Sequence, residues 1–172
     1  MCEAVFRYDR HLIKVRKDNV FMKFVKNIVK AMTPWVEREK KIYRLYKKSA
    51  KWIARNNTYL AYYYCYKIEK KYGCIISPRA KVGQNLRLPH PMGVIIGVGV
   101  EIGDNVTIYQ NTTLGRKHEN VETCPKVGNN VTIYCNSTVV GDVMIGDNAT
   151  IGCNSVVLRS VAENEVCSGI VK

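Results

Sequence analysis

His90 stands between two prolines, in the stretch LPHPMG. An imidazole changes its charge near neutral pH, so it can take the proton of a hydroxyl as that hydroxyl attacks a carbonyl carbon. General base catalysis of this kind typically contributes about 10²–10⁴-fold to a rate. The competing interpretation is a turn histidine that Pro89 and Pro91 hold in place. Residue type alone leaves both interpretations open.

A second group of polar side chains lies between Gly115 and Cys124. It consists of Arg116, Lys117, His118, Glu119 and Glu122. Arg116 and His118 could contact an acceptor or a cofactor from a loop of this composition. A solvated loop without a binding role is the alternative, and the two carry equal weight.

The seven cysteines are odd in number and contain no Cys-x-x-Cys pair. This number and spacing are typical of reduced thiols, so we expect a cytoplasmic protein without a metal site. The chain has neither an N-terminal apolar segment of the secretory kind nor an apolar run near about 18 residues, so we expect no signal peptide and no spanning helix.

The elements that position these residues differ on the two sides of Gly73. Residues 1–72 hold 19 Lys and Arg against 6 Asp and Glu, which accounts for the whole formal charge of +13. Such density favours a polyanionic partner, although solvated faces of ordinary helices are the simpler explanation.

Apolar residues recur at helical spacing through residues 21–53, which predicts amphipathic helices. Thr33-Pro34 is typical of a helix start, residues 56–58 of a break, and Gly73 of a stop after a further helix. The tyrosines of that last helix are predicted to pack against neighbours. They are Tyr59, Tyr62, Tyr63, Tyr64 and Tyr66.

After Gly73 the apolar period changes to six residues, with a small or β-branched residue usually four positions after each anchor. The thirteen anchors are Ile76, Val82, Leu88, Ile96, Ile102, Ile108, Leu114, Val127, Ile133, Val139, Ile145, Ile151 and Val157. The pattern predicts a parallel β-helix in which three short strands close one coil and Gly, Asn and Asp form the corners. Thirteen rungs make a little over four coils, about 20 Å long at the usual strand spacing.

The period is interrupted twice. Leu88 and Ile96 are eight residues apart instead of six, and the polar segment after Gly115 forms the second interruption. His90 lies on the first, where two extra residues widen a corner and can aim a side chain outward. The second is predicted to be a loop that leaves the β-helix.

The motifs now resemble a known family. IGDNVT and IGDNAT repeats ending in NSVVLRSV are similar to those of the left-handed β-helix acyltransferases. The order LPHPMGVIIG, QNTTLG and CPKVG resembles the serine acetyltransferase branch, and most closely its relatives that O-acetylate sugars of colanic acid and capsular polysaccharides. The resemblance covers residues 74–172 and implies a left-handed parallel β-helix there, preceded by an α-helical segment at residues 1–73. It also implies a homotrimer that binds acetyl-CoA between neighbouring copies and transfers acetyl to a hydroxyl.

The resemblance implies roles for single residues. His90 would be the general base, and Arg116, His118 and Cys124 would lie near the acceptor. The residues implied in cofactor binding are Gly115, Cys135, Gly141, Cys153 and Arg159. Cys135 and Cys153 would supply backbone contacts and compact side chains, so direct transfer is expected in place of an acetyl-cysteine intermediate.

Three departures from the serine enzymes bear on the acceptor. Ile75, Pro89 and Cys124 stand where those enzymes carry two Asp and a second His. The departures favour a carbohydrate acceptor, because the sugar-acetylating relatives share the Cys124-Pro125 motif with this chain. They also remove the carboxylate partner of His90, leaving Ser77, a backbone carbonyl or another subunit to orient the ring.

The expected function is therefore O-acetylation of a sugar in surface polysaccharide synthesis. A lipid-linked acceptor would place the protein at the inner face of the membrane, with residues 1–72 in peripheral contact. Serine O-acetylation with an altered acceptor site is the alternative. The third hypothesis is a non-enzymatic scaffold or a nucleic-acid binder, although the sequence contains no motif for specific nucleic-acid recognition.

Overall fold

The computed structural model describes residue 28, residues 34–118 and residues 123–172. Two helices, α1 (Pro34–Ile53) and α2 (Thr58–Tyr72), precede a series of short parallel strands. These are β1 (Ile75–Ile76), β2 (Lys81–Val82), β3 (Ile95–Ile96), β4 (Glu101–Ile102), β5 (Thr107–Ile108), β6 (Thr113–Gly115), β7 (Lys126–Val127), β8 (Thr132–Ile133), β9 (Thr138–Val140), β10 (Met144–Ile145), β11 (Thr150–Ile151), β12 (Val156–Val157), β13 (Val166–Cys167) and β14 (Ile170–Val171).

Local signals set the helix ends. Pro34 opens α1, as predicted, while Thr33 lies outside the described residues. Asn57 caps α2 because its side chain accepts the Leu60 N–H at 3.0 Å. Gly73 ends α2 with φ 65°, a conformation that glycine adopts without steric cost. The predicted break and stop are confirmed. Of the helix predicted before residue 33, only the helical residue Ile28 is described.

The strands stack into three parallel sheets, which we name face A, face B and face C. Face A has the order β1-β3-β6-β9-β12-β14, face B the order β10-β7-β4-β2 and face C the order β13-β11-β8-β5. The chain visits A, B and C in turn, so each three-strand circuit is one coil of a parallel β-helix, as predicted. Residues 35–172 form one compact unit.

The six-residue period is explained by what each strand buries. On the first strand of face A, Ile75 points outward and Ile76 inward, and the other strands repeat this alternation. All thirteen predicted anchors are buried, and the small residues four positions later fill the corners, among them Ala80, Thr112 and Ser155. Removing these apolar rows from water supplies the main driving force for the coil.

The β-helix continues beyond the last predicted anchor. Val161 forms a bridge to Ile145, and β13 and β14 add further rungs on faces C and A. The inward residues Val157, Val161, Cys167 and Val171 follow at steps of four, six and four. The prediction ended at Val157 because these shorter corners break the six-residue count.

Asparagines at the corners hold neighbouring coils in register. Asn85, Asn105, Asn130 and Asn148 adopt positive φ, which asparagine tolerates better than most residues. Their side chains form a ladder in which each amide donates to the next, at 3.0, 3.2 and 3.2 Å.

Helix α1 covers the open edge of the first coil. The Tyr46 hydroxyl donates to the Ala80 carbonyl at 2.7 Å and accepts the Val82 N–H at 3.2 Å. Tyr43 donates to the carbonyl of Gly83 at 2.7 Å. An edge strand needs such partners, so α1 satisfies backbone groups that no further coil pairs with.

Four of the five tyrosines that were predicted to pack are exposed, and Tyr64 is half-buried. Tyr59 is 92% exposed, and Tyr62, Tyr63 and Tyr66 are about half exposed, because Ala61, Ile68 and Tyr72 form the buried side of the helix. Among the described residues, neither helix has the length and apolar character needed to cross a bilayer.

Candidate active site

The coil that carries His90 is longer than a regular one. Asn85 and its ladder partner Asn105 are 20 residues apart, against 18 for Asn130 and Asn148. The extra length falls in the corner between faces C and A, where Pro89 and Pro91 are buried and the imidazole is exposed. The predicted outward direction of His90 is confirmed.

His90 belongs to a column that we name the histidine edge, formed by corner residues after face C. Its members are His90, Gln110, Cys135 and Cys153. Backbone bonds join successive corners, for example from the Asn111 N–H to the Met92 carbonyl and from the Asn136 N–H to the Gln110 carbonyl, both at 3.0 Å. Two of the five predicted cofactor residues therefore share an edge with His90.

Gln110 was not anticipated as a functional residue. Its Oε1 is buried, and no hydrogen-bond donor reaches it within the described part of the chain. A buried acceptor without a donor costs free energy, so a donor from a ligand or a second copy would stabilise it. Sequence reasoning missed Gln110 because its place beside the His90 corner appears only when the coils are stacked in register.

The other predicted cofactor residues form a second column, the loop edge, between faces A and B. Its members are Gly115, Gly141 and Arg159. The Gly141 N–H donates to the Gly115 carbonyl at 3.1 Å. A Cβ placed on Gly115 would meet no atom within 4 Å, so this part of the edge is open.

The segment after Gly115 departs from the β-helix, as predicted, and its residues 119–122 lie outside the described residues. Arg116, Lys117 and His118 are exposed and line a recess of about 530 Å³ together with Val98.

Cys124 is buried beside Val98, one of the residues that line the recess. Its Sγ donates to the Val98 carbonyl at 3.1 Å. Gly99, with φ 81°, leaves room for the sulfur, because an added Cβ would approach it to 2.8 Å. The thiol is thus directed into its own chain.

Arg159 is already engaged within the chain. Its Nη2 lies 2.9 Å from Glu165 Oε1, and its Nη1 donates to the Ser160 carbonyl at 2.7 Å. The hydrogen bond from Arg159, followed by one from the Ala162 N–H, lowers the pKa of the Glu165 carboxyl. Binding a phosphate through Arg159 would have to compete with this pair.

The structure divides the predicted site residues between the two edges, with face A between them. None of the contacts among described residues joins His90 to Arg116, His118 or Cys124. Among the residues that the structure describes, no group of three His, Cys, Asp or Glu side chains could hold a metal ion.

The outer surface of face A is largely apolar, with Thr113 and Thr138 on its two middle strands. Ile75, Ile95, Val156 and Ile170 point outward and are 37–69% exposed. The outward residues of face B are instead mainly charged, namely Lys81, Glu101 and Lys126. Only face A thus combines apolar outward residues with the two candidate edges.

Comparison with known proteins confirms the class of this fold. The family pattern described as bacterial transferase hexapeptide (six repeats) matches residues 124–159. Residues 124–159 thus match the hexapeptide repeats of the bacterial transferases, and they lie on the parallel β-helix.

The relatives in sequence are more specific. A serine acetyltransferase of Staphylococcus aureus strain COL is 39% identical over 99 residues, which are 57% of this chain and 46% of the relative. A serine acetyltransferase of Staphylococcus epidermidis is 40% identical over the same share of each chain. The resemblance to the serine acetyltransferase branch is confirmed, and this chain spans about half the length of the relatives it matches.

Solved structures that resemble this chain are also serine acetyltransferases. A serine acetyltransferase in complex with CoA has a TM-score of 0.70 at 30% identity, covering 74% of this chain and 53% of its own. The soybean serine acetyltransferase apoenzyme has a TM-score of 0.72 at 28% identity, with the same coverage. A Brucella abortus serine acetyltransferase in complex with coenzyme A has a TM-score of 0.72 at 26% identity, covering 74% of this chain and 51% of its own.

Proposed function

We propose that this chain is an acetyl-CoA-dependent O-acetyltransferase whose residues 74–172 form a left-handed β-helix. One observation carries the proposal: His90 is exposed on a widened corner of a hexapeptide β-helix that is similar to serine acetyltransferases, including structures in complex with CoA. In this proposal residues 1–73 carry no group of the transfer reaction.

His90 acts as the general base. The acceptor hydroxyl gives its proton to the imidazole as its oxygen bonds to the thioester carbonyl carbon. The carbon–sulfur bond then breaks, and the imidazolium returns the proton to the departing thiolate. Gln110, on the same edge, is our candidate acceptor for the ring N–H of His90, because its buried Oε1 meets no donor among the described residues.

The site requires more than one copy of the chain. If a threefold axis faces face A, the histidine edge of each copy lies beside the loop edge of its neighbour. The apolar outer surface of face A supports this arrangement, because self-association would remove Ile75, Ile95, Val156 and Ile170 from water. The resulting homotrimer brings His90 of one copy to Arg116 and His118 of another.

The residues of the two edges fit an extended cofactor. Acetyl-CoA supplies the activated thioester. The open backbone at Gly115 and the small residues Gly141, Cys135 and Cys153 leave room along the edges. Lys117 lies next to Gly141 and is exposed, so it is better placed than the paired Arg159 to meet phosphate oxygens.

L-serine is the acceptor that the comparisons favour, and it takes precedence over the carbohydrate expected from the sequence. The relatives and solved structures cited above are serine acetyltransferases. Arg116 supports this choice, because an exposed guanidinium beside the recess can bind a carboxylate through two parallel hydrogen bonds.

A sugar hydroxyl is the second candidate, and three residues favour it. The Cys124 thiol is directed at the Val98 carbonyl, Pro89 is buried, and Ile75 presents hydrocarbon. None of them offers the charge that an amino acid would require. Either acceptor is compatible with a cytoplasmic location, and a lipid-linked sugar would add the inner face of the membrane.

Transfer of labelled acetyl from acetyl-CoA to L-serine and to a panel of glycans tests the proposal. We expect serine to be acetylated and His90→Ala to lower the rate by about 10²–10⁴-fold, the usual contribution of a general base. Met92→Ala, in the same widened corner, is the matched control and should keep the rate. Undiminished transfer by His90→Ala would exclude the assigned base, and acetylation of glycans alone would favour the second acceptor.

A further inference from the structure

A groove between the two helices is lined by six basic side chains. They are Lys41, Arg44 and Lys48 of α1 and Lys67, Lys70 and Lys71 of α2. Arg44 and Lys48 follow Lys41 by three and seven residues, and Lys70 and Lys71 follow Lys67 by three and four, so each set lies on one side of its helix. The groove has a volume of about 670 Å³, with Leu45 and Tyr72 as its apolar lining.

Within the described part of the chain, these cations have no acidic partner. Among the described residues no Asp or Glu lines the groove, and the ion pairs lie elsewhere, at Lys40–Glu37, Lys81–Glu101 and Arg159–Glu165. Lys48 and Lys71 instead lie over tyrosine rings, at 5.6 and 5.9 Å from the ring centroids. Lys70 and Lys71 also complement the dipole at the end of α2, but that does not explain the three cations along the middle of α1.

We propose that this groove binds a group of clustered phosphates. Like charges held in one recess repel each other, and a multiply charged anion would relieve the repulsion while forming several charge-assisted hydrogen bonds. Six cations carry more positive charge than a single phosphate can neutralise. The volume of the groove is in the range of small-ligand sites. The phosphates belong either to a soluble polyphosphate or to anionic lipid headgroups.

Nucleic acid is the less favoured source of phosphates. Single-stranded nucleic acid binding usually combines cations with aromatic faces on which bases stack. Tyr63 and Tyr66, beside the groove, each have one face approached by a lysine, Lys67 at 4.4 Å and Lys70 at 5.7 Å. A base could stack on those two faces only after the lysines moved.

The groove shares no residue with the histidine edge or the loop edge. The proposal therefore does not rest on the acetyl-transfer function. Loss of phosphate binding and loss of transfer can be measured separately in the same variants.

Titration calorimetry of the full chain with inorganic phosphate, pyrophosphate and tripolyphosphate, and sedimentation with vesicles, test the proposal. The vesicles are phosphatidylcholine with or without phosphatidylglycerol. A groove variant combines Lys41→Gln, Arg44→Gln and Lys67→Gln. The charge-matched control combines Arg79→Gln, Lys126→Gln and Lys172→Gln, which are exposed outside the groove.

We expect tripolyphosphate, phosphatidylglycerol vesicles or both to bind, and which of them binds identifies the source. The groove variant should weaken binding by at least about tenfold, a loss of about 1.4 kcal/mol, and the control by much less. Thermal unfolding and acetyl transfer report whether the groove variant is folded. Equal weakening by both variants, no binding to either anion, or a preference for single-stranded RNA that the groove variant retains would each overturn the proposal.

Discussion

At the scale of single residues, the environment of each candidate decides its chemistry. His90 is exposed on a corner that two additional residues widen, whereas Cys124 is buried and bonded to a backbone carbonyl. The two were both predicted as site residues. Only His90 has the access to solvent that a proton-transfer group requires.

The cysteines give a prediction at the same scale. Burial raises the pKa of the Cys74 thiol to about 12, and the thiolate is the reactive form. In the native protein at pH 8, iodoacetamide should modify exposed Cys153 and spare Cys74, which should react only on unfolding. Mass spectrometry of the alkylated chain checks this. Rapid native modification of Cys74 would contradict its burial.

The same pKa shift affects stability. The unfolded chain loses the thiol proton near the ordinary pKa of 9.0, while the folded chain keeps it until about pH 12. The contribution of the Cys74 thiol to the free energy of unfolding is therefore fully present below pH 9, and it is lost as the pH rises from 9 to 12.

At the scale of the elements, α1 closes the first coil of the β-helix. Tyr46 is the central residue of this contact, because its hydroxyl serves one buried carbonyl and one buried N–H at the open edge. The helical segment therefore has a structural role besides the basic groove on its other side.

Tyr46→Phe should lower the free energy of unfolding by about 1–3 kcal/mol, since it leaves buried backbone groups without partners. Tyr43→Phe is the control, because its half-buried hydroxyl serves only the Gly83 carbonyl. Urea denaturation measures both variants. An equal loss in the two would show that the Tyr46 hydroxyl is not the principal cap.

The asparagine ladder gives a second prediction for the elements. Asn130 has φ 57°, accepts a hydrogen bond from Asn105 and donates one to Asn148. Asn130→Gly loses both bonds but adopts the left-handed backbone without steric cost, whereas Asn130→Ala keeps a Cβ there without the polar side chain that lets asparagine tolerate it, which costs about 1–2 kcal/mol more. In thermal unfolding, the glycine variant should therefore melt at a higher temperature than the alanine variant. The reverse order would mean that the backbone conformation at this corner is not the constraint.

At the scale of the whole molecule, the two candidate edges lie on either side of face A. A single copy of the chain does not bring His90 to the polar loop, so the proposed activity depends on assembly. The apolar outer surface of face A is the part of the β-helix most suited to that contact.

Ile95→Arg should disrupt assembly, because a charge in an apolar interface must be desolvated without a partner. We expect the wild type to sediment as a trimer and the variant as a monomer that has lost acetyl transfer. Met144→Arg, on exposed face B, is the control and should leave the trimer intact. Analytical ultracentrifugation distinguishes these results. A wild-type monomer with full activity would refute the shared site.

The sequence by itself determined the repeat, since an inward residue at every sixth position can be read without knowing which coil it meets. It also located the helix ends, through Pro34, Asn57 and Gly73, and the widened corner at His90. These signals are local, so a single sequence contains them.

Only the tertiary structure decided which residues become neighbours. The stacking of coils placed His90, Gln110 and Cys153 on one edge and Gly115 on another. It also left Tyr59, Tyr62, Tyr63 and Tyr66 exposed, and it added rungs beyond Val157, where the step between inward residues shortens to four. These outcomes depend on register between segments about 18 to 25 residues apart, as in the asparagine ladder, which a local pattern does not encode.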